Sequence, residues 1–229
     1  MDAIVLAGGL GTRLSARLDG IPKPMAAVAG RPFLEILLGQ LQRAGCRRAL
    51  LSVGHLHTVI QHHFGASFHG MRVDYAVEDS PLGTGGAIRN ALAMAEEESV
   101  LVLNGDTFLD ADYAAMLRFH AARAAQITIA ITRQAEIGRY GGVHLRGEHI
   151  IGFEEKGRTG AGWINAGSYV LAKQIKWPAS LAEKFSFEQD FLMPQIARLS
   201  PAAFRVDGFF LDIGVPEDLD RAQTELAGF

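Results

Sequence analysis

Asp2-Ala3-Ile4-Val5-Leu6-Ala7-Gly8-Gly9-Leu10-Gly11-Thr12-Arg13-Leu14 stands at the amino end of the chain, a short apolar run that breaks into a glycine-rich turn. An apolar run of this length before such a turn is the pattern of a strand buried on both faces. Glycines carry no Cβ, so the turn lets backbone N–H groups converge on an anion, and phosphate is the natural guest. Two familiar phosphate turns do not fit. Leu14 stands where a dinucleotide-binding turn needs its third glycine, and no Gly-Lys-Ser/Thr follows as in a P-loop. Arg13 offers a planar fork to the oxygens of a polyphosphate, and Lys23, between Pro22 and Pro24, adds a compact charge on a stiffened segment.

Outward from this turn the pattern alternates. Pro32 to Ala44 has helical spacing, with Pro at the opening and Gly45 at the stop. Arg48 to Val53 is then a strand, His55 to Phe64 a helix, Arg72 to Val77 a strand, Gly85 to Ala95 a helix and Val100 to Leu103 a strand. Such a βαβαβαβ order needs right-handed crossovers and builds an α/β fold: a Rossmann-like doubly wound mixed sheet, mostly parallel, in three αβα layers. Ligands bind such sheets at strand C-termini, so Gly8 to Arg13 and Asn104 to Asp106 should share one rim. From Ile127 the rhythm changes. Ile127 to Thr132, Gly142 to Leu145, His149 to Glu154 and Asn165 to Leu171 read as strands with few helices between them, while Phe187 to Leu199 and Pro216 to Leu226 read as helical. One domain over 1–229 is expected, with a mostly parallel half over about 1–125 and a mixed-sheet half over about 126–229.

Lys+Arg of 22 against Asp+Glu of 25 gives a net charge of −3, so no positive field exists to hold nucleic acid or an anionic membrane. The single Cys46 cannot staple the fold, and the amino end has no basic and then long apolar leader, which fits a cytoplasmic protein. His55, His57, His62 and His63 read as surface residues rather than metal ligands.

Three further constellations carry chemistry. Asp106, at a strand end in Leu103-Asn104-Gly105-Asp106, and the distant Asp212 would suit Mg²⁺, which takes a few carboxylates plus phosphate oxygens. In Glu78-Asp79-Ser80-Pro81-Leu82-Gly83-Thr84-Gly85-Gly86, glycines 83 and 86 permit a flat base to approach the backbone. Glu78 can accept both guanine N1–H and N2–H₂, although uracil or thymine could also be held there. Tyr140-Gly141, Glu154-Glu155-Lys156 and Asn165-Ala166-Gly167 supply donors and acceptors for sugar hydroxyls and a cation for a phosphate.

The Gly8-Gly9-x-Gly11-Thr12-Arg13-Leu14 turn with Pro22-Lys23-Pro24, followed in order by the other motifs along nearly the whole chain, resembles the signature of the sugar-1-phosphate nucleotidyltransferases. The resemblance implies a GT-A-like nucleotidyltransferase fold and a Mg²⁺-dependent in-line displacement. GMP would pass from GTP to a sugar 1-phosphate, taken as a manno-configured heptose, with pyrophosphate as the leaving group. It implies Arg13, Lys23 and Lys156 as catalytic residues. Leu6, Ala7, Gly8, Gly9, Gly11, Thr12, Glu78, Gly83, Gly86 and Asn104 would contact the nucleotide. Tyr140, Gly141, Glu155, Lys156 and Asn165 would contact the sugar phosphate, and Asp106 and Asp212 would hold Mg²⁺. One departure is Gly157, where many members of the family have Pro, and a mobile loop over 157–162 is expected from it. A homodimer and a product destined for a surface glycan are further expectations. A UTP- or dTTP-dependent transferase acting on a hexose phosphate is the alternative within the class. A glycosyltransferase using a nucleotide sugar is the alternative outside it, and its donor needs no site for a free triphosphate.

Overall fold

Ala3 and Val5 of strand β1 (Asp2–Leu6) pack into one hydrophobic cluster and Ile4 into a second on the opposite face of the sheet. This two-residue period is what a strand covered on both sides requires. Strands β4 (Arg48–Val53) and β7 (Ser99–Asn104) repeat it, with Leu51 and Leu101 on one face and Leu50 and Val102 on the other. Each of these side chains is fully buried, a contribution of about 1.5–3 kcal/mol for each Val, Leu and Ile.

The computed structural model describes residues 1–9, 14–18 and 20–229. After β1 come α1 (Ser15–Leu18), a 3₁₀ turn (Lys23–Met25), the small ribbon β2 (Ala27–Val28) and β3 (Arg31–Pro32), and α2 (Phe33–Arg43). Then follow β4, α3 (His57–Phe64), β5 (Ser67–Phe68), β6 (Met71–Val77), α4 (Gly83–Ala93), β7, β8 (Thr107–Leu109) and α5 (Tyr113–Ala122). The second half holds β9 (Ile127–Gln134), β10 (Val143–Arg146), β11 (His149–Phe153), β12 (Gly162–Ala172), a helical stretch over 187–199 ending in α6 (Ile196–Leu199), β13 (Ala202–Val206), β14 (Phe210–Asp212) and α7 (Pro216–Glu225).

The main sheet runs β10-β11-β13-β9-β12-β7-β1-β4-β6-β5. Its pairings point β6, β4, β1, β7, β9, β13 and β10 one way and β5, β12 and β11 the other. Helices α2 and α7 lie against one face, and α4 with the 187–199 stretch lies against the other. This is the α/β doubly wound mixed sheet expected from the alternation. At the N-terminal rim, Arg48 reaches Asp74 Oδ2 at 2.5 Å, Glu96 at 3.0 Å and the Met94 carbonyl at 3.0 Å. These contacts pin β4 against β6 and the end of the α4 segment, at the rim opposite the site. No helix among the described residues is long and apolar enough to cross a membrane.

Some elements differ from expectation. The helix over 187–199 is a π turn (Phe187–Leu192), a 3₁₀ turn (Met193–Gln195) and α6, because Pro194 has no N–H to donate at the junction. Helix α5 is an added element. Its buried positions are few, Tyr113, Met116 and His120 among alanines, so its stripe is faint, while Asp112 caps it by accepting from Ala115 N at 2.8 Å. Strands β13 and β14 are likewise additions, with partners distant in sequence.

Candidate active site

The rim is set by parallel register. Leu6 of β1 lies opposite Asn104 of β7 and Ser52 of β4, the Gly105 N–H donates to the Leu6 carbonyl at 3.0 Å, and the Ala7 N–H donates to the Ser52 carbonyl at 2.7 Å. The chain then returns through the 3₁₀ turn, whose Met25 N–H bonds the Pro22 carbonyl, and this brings Lys23 Nζ to 2.6 Å from Asp106 Oδ2. The Thr107 hydroxyl donates to Asp106 Oδ1 at 3.2 Å. Leu6, Gly8, Gly9, Lys23, Glu78, Gly83, Asn104 and Asp106 line one cavity of about 310 Å³. Ala7 is buried just beneath it. The expectations placed on Gly11, Thr12 and Arg13 lie outside the described residues.

Asp212 arrives from the far end of the chain because β14 pairs antiparallel with β8, setting Asp212 opposite Thr107, and the Ile213 N–H donates to the Asp106 carbonyl at 2.9 Å. Its carboxyl pKa is raised from its ordinary value, first through burial and then through the charge of Asp106, against the opposing pull of Lys23 and Arg139. Two carboxylates that repel each other beside a lysine form a donor set that gains from a divalent cation, and Mg²⁺ is commonly held by one or two carboxylates plus substrate phosphates. Among the described residues no three His, Cys, Asp or Glu side chains gather as a closed metal cage, so such a site would be completed by phosphate oxygens.

Arg139 is a residue the motifs did not point to. Its guanidinium bonds Asp218 at the start of α7, donates to the Asp212 carbonyl at 3.2 Å and lies 3.7 Å from Asp212 Oδ1. It thereby links the Tyr140-Gly141 segment to the Asp212 strand end. An arginine immediately before Tyr140 was the available signal, but its partners lie more than seventy positions away.

The glycines of the Glu78–Gly86 segment also serve packing within the protein. Gly83 has φ +69°, and a Cβ on it would stand 2.6 Å from the Phe185 carbonyl oxygen. A Cβ on Gly86 would stand 2.6 Å from the Glu183 carbonyl oxygen, and Gly86 is not on the cavity wall. They let α4 seat the 183–187 segment, which is also held by Gly85 N–H to the Phe185 carbonyl (2.9 Å) and Phe187 N–H to Thr84 Oγ1 (2.9 Å). Glu78 faces the cavity with each oxygen already accepting one bond, from Ser52 Oγ at 3.0 Å and from Leu82 N–H at 3.0 Å. Its remaining lone pairs are oriented by those donors.

Tyr140, Gly141, Glu155, Lys156 and Asn165 come together around a second cavity of about 560 Å³, joined there by Glu188 and Gln189 of the π turn. Strand β7 gives Asn104 to the first cavity and β12 gives Asn165 to the second, and the two strands pair. A bulge in β12 between Asn165 and Tyr169 brings Gly167, at φ +69°, against the Asn104 side chain. The loop after Lys156 is tied back by Gly157 N–H to the Gly138 carbonyl at 2.7 Å and Ile137 N–H to the Gly160 carbonyl at 3.0 Å.

The family described as Nucleotidyl transferase matches residues 2–228. The chain belongs to that family. This nucleotidyl transferase is 42% identical over 226 residues, 99% of its length and 98% of the relative's, to the D-glycero-alpha-D-manno-heptose 1-phosphate guanylyltransferase of Aneurinibacillus thermoaerophilus. It is 41% identical over 219 residues, 95% of its length and 96% of the relative's, to the protein of the same name from Campylobacter jejuni. The crystal structure of HddC from Yersinia pseudotuberculosis complexed with GMP-PN superposes with a TM-score of 0.86 at 37% identity, covering 98% of this chain and 99% of that one. In this nucleotidyl transferase the sequence holds two Asp-x-Asp triplets, Asp110-Ala111-Asp112 and Asp218-Leu219-Asp220, the pattern a glycosyltransferase uses for its metal. Asp112 is the N-cap of α5, Asp218 pairs with Arg139 and Asp220 with Arg17, and none of the four lines the two cavities.

Proposed function

We propose that the chain transfers GMP from GTP to D-glycero-α-D-manno-heptose 1-phosphate, giving GDP-heptose and pyrophosphate. The observation that carries this reading is the pair of polar cavities on the paired strands β7 and β12, one bearing Lys23, Asp106 and Glu78 and the other bearing Glu155 and Lys156. The names of the two full-length relatives support the choice of base and sugar.

The sugar phosphate is an anion at neutral pH, so no general base is needed. One of its oxygens bonds to the α-phosphorus of GTP while the bond from that phosphorus to the β-bridging oxygen breaks, and the electron pair leaves with pyrophosphate. Catalysis is then alignment plus charge neutralisation. Lys156 would hold the incoming phosphate, Lys23 the triphosphate, and Arg13 the departing pyrophosphate. Asp106 and Asp212 would hold Mg²⁺, which supplies positive charge against the triphosphate oxygens. Glu78 would accept from the Watson–Crick edge of guanine. Phosphorylated substrates of this kind support a cytoplasmic location for the reaction.

The test is a matrix of GTP, ATP, UTP and dTTP against the α-1-phosphates of the heptose, mannose and glucose, read by pyrophosphate release. GTP with the heptose should give the largest kcat/KM. A better rate with UTP or dTTP, or release of a free nucleoside diphosphate, would contradict the proposal.

A further inference from the structure

Asn165 was expected to meet the sugar, yet its hydrogen-bonding capacity is largely committed within the protein. Its Nδ2 donates to Tyr169 Oη at 2.8 Å and to Glu188 Oε1, and its Oδ1 accepts from Gly167 N–H at 3.0 Å. An amide nitrogen has two hydrogens, and both are in use. Tyr169 is buried, and its hydroxyl donates to the same Glu188 Oε1 at 3.2 Å. Burial first, and then the Glu188 charge, push the Tyr169 phenol well above its ordinary value, so it stays a donor.

Glu188 Oε1 is therefore pinned by two side-chain donors, while Oε2 takes no hydrogen bond from any described residue. The carboxylate is exposed on the wall of the cavity that also holds Tyr140, Glu155 and Lys156. Its backbone is fixed on both sides. Phe187 and Phe191 are buried with ring centroids 5.7 Å apart, Phe191 lies 4.5 Å from Trp177, and the Phe187 N–H is held by Thr84. The close seating of 183–187 on Gly83 and Gly86 thus delivers Glu188 to the sugar cavity.

We propose that Glu188, oriented by Asn165 and Tyr169, is a specificity residue whose free oxygen accepts hydrogen bonds from the exocyclic hydroxyls of the sugar 1-phosphate. This rests on the sugar-phosphate reading of the cavity given above. A carboxylate and a phosphate repel, so with Lys156 taking the phosphate, Glu188 reads the hydroxyl end remote from it. A heptose carries two exocyclic hydroxyls where mannose carries one, and a second bond to one pre-set oxygen favours the longer sugar. Asn165 and Tyr169 are positioning residues in this arrangement.

The test uses the full chain, saturating GTP, and either the heptose or mannose α-1-phosphate as the varied substrate. Glu188→Ala should raise KM for the heptose phosphate about 10-fold or more, the cost of a charge-assisted hydrogen bond. It should leave KM for GTP within about 2-fold and shrink the heptose-over-mannose ratio of kcat/KM by a similar factor to the heptose loss. Glu188→Gln keeps an oxygen for Asn165 and Tyr169 but turns the outward atom into a donor, so the ratio should fall with the fold intact. Tyr169→Phe should raise KM for the heptose phosphate by less, with kcat unchanged. A heptose-over-mannose ratio unaltered in both Glu188 variants, with the wild type active, would overturn the assignment. A wild type that turns over no sugar 1-phosphate would overturn both this inference and the function on which it rests, so the two failures are distinguishable.

Discussion

Lys23 Nζ stands 2.6 Å from Asp106 Oδ2, joining positions 83 apart in sequence on the wall of the cavity that Gly8 and Gly9 also line. In the proposed reaction this pair is in place before substrate arrives: the lysine faces incoming triphosphate and the carboxylate is held for a cation. Charge partners set in advance cost no reorganisation during the reaction. Replacement of Lys23 by Ala should lower kcat by about 10²–10³-fold, the usual loss for one transition-state charge partner. The melting temperature should change little. Steady-state kinetics beside a thermal melt would check this.

Asp212 gives a prediction with two signs. Its carboxyl pKa is raised in the folded protein, burial being the larger cause and Asp106 the next. Protonated Asp212 is thus favoured by folding. Its stabilising contribution is full below the ordinary carboxylate pKa and is lost as pH rises through the higher folded value. Asp212→Asn should therefore raise the melting temperature of the metal-free protein at neutral pH and leave it unchanged in acid. The same change should lower Mg²⁺-supported turnover by about 10²-fold or more. Melts at several pH values, together with rates, read both effects.

Arg139 should behave as a support for Asp212. Removing it strips the Asp212 carbonyl and Asp218 of a partner, although Arg221 still reaches Asp218 at 2.9 Å. Arg139→Ala should raise the Mg²⁺ concentration for half-maximal rate by about 10-fold, as for other residues that orient metal ligands. Arg139→Lys should recover only part of this, since an ammonium does not offer the guanidinium's planar fork. A Mg²⁺ titration of activity in the two variants would show it.

Gly86 and Glu78 separate packing from base recognition. A Cβ on Gly86 must displace the Glu183 carbonyl or the Leu82 side chain, so Gly86→Ala should destabilise the protein by about 1–3 kcal/mol with KM for GTP nearly unchanged. Glu78→Gln should raise KM for GTP about 10-fold or more and narrow its advantage over UTP. Denaturant melts and nucleotide kinetics on the two variants would distinguish the roles.

The nucleotide half was readable because its signals are local. The alternation around β1, β4, β6 and β7 lies in contiguous residues, and the turns that follow those strands must share one rim. Asp106 and Asp212 were singled out by residue type, but what brings them together is β8–β14 pairing across about a hundred positions, which no window of sequence carries. The same holds for Arg139 and Glu188, whose partners are remote in sequence. The glycines after Pro81 were visible as glycines, but the 183–187 segment packed against them, about a hundred positions away, was not. Helix α5 was obscured by its alanines, which mark no face.

The central claim is tested most directly by following the α-phosphorus. With [α-³²P]GTP, the heptose 1-phosphate and Mg²⁺, the account predicts that label passes into a GDP-sugar in step with unlabelled pyrophosphate. Label recovered as free GMP or GDP, or no transfer while another triphosphate is consumed, would contradict it.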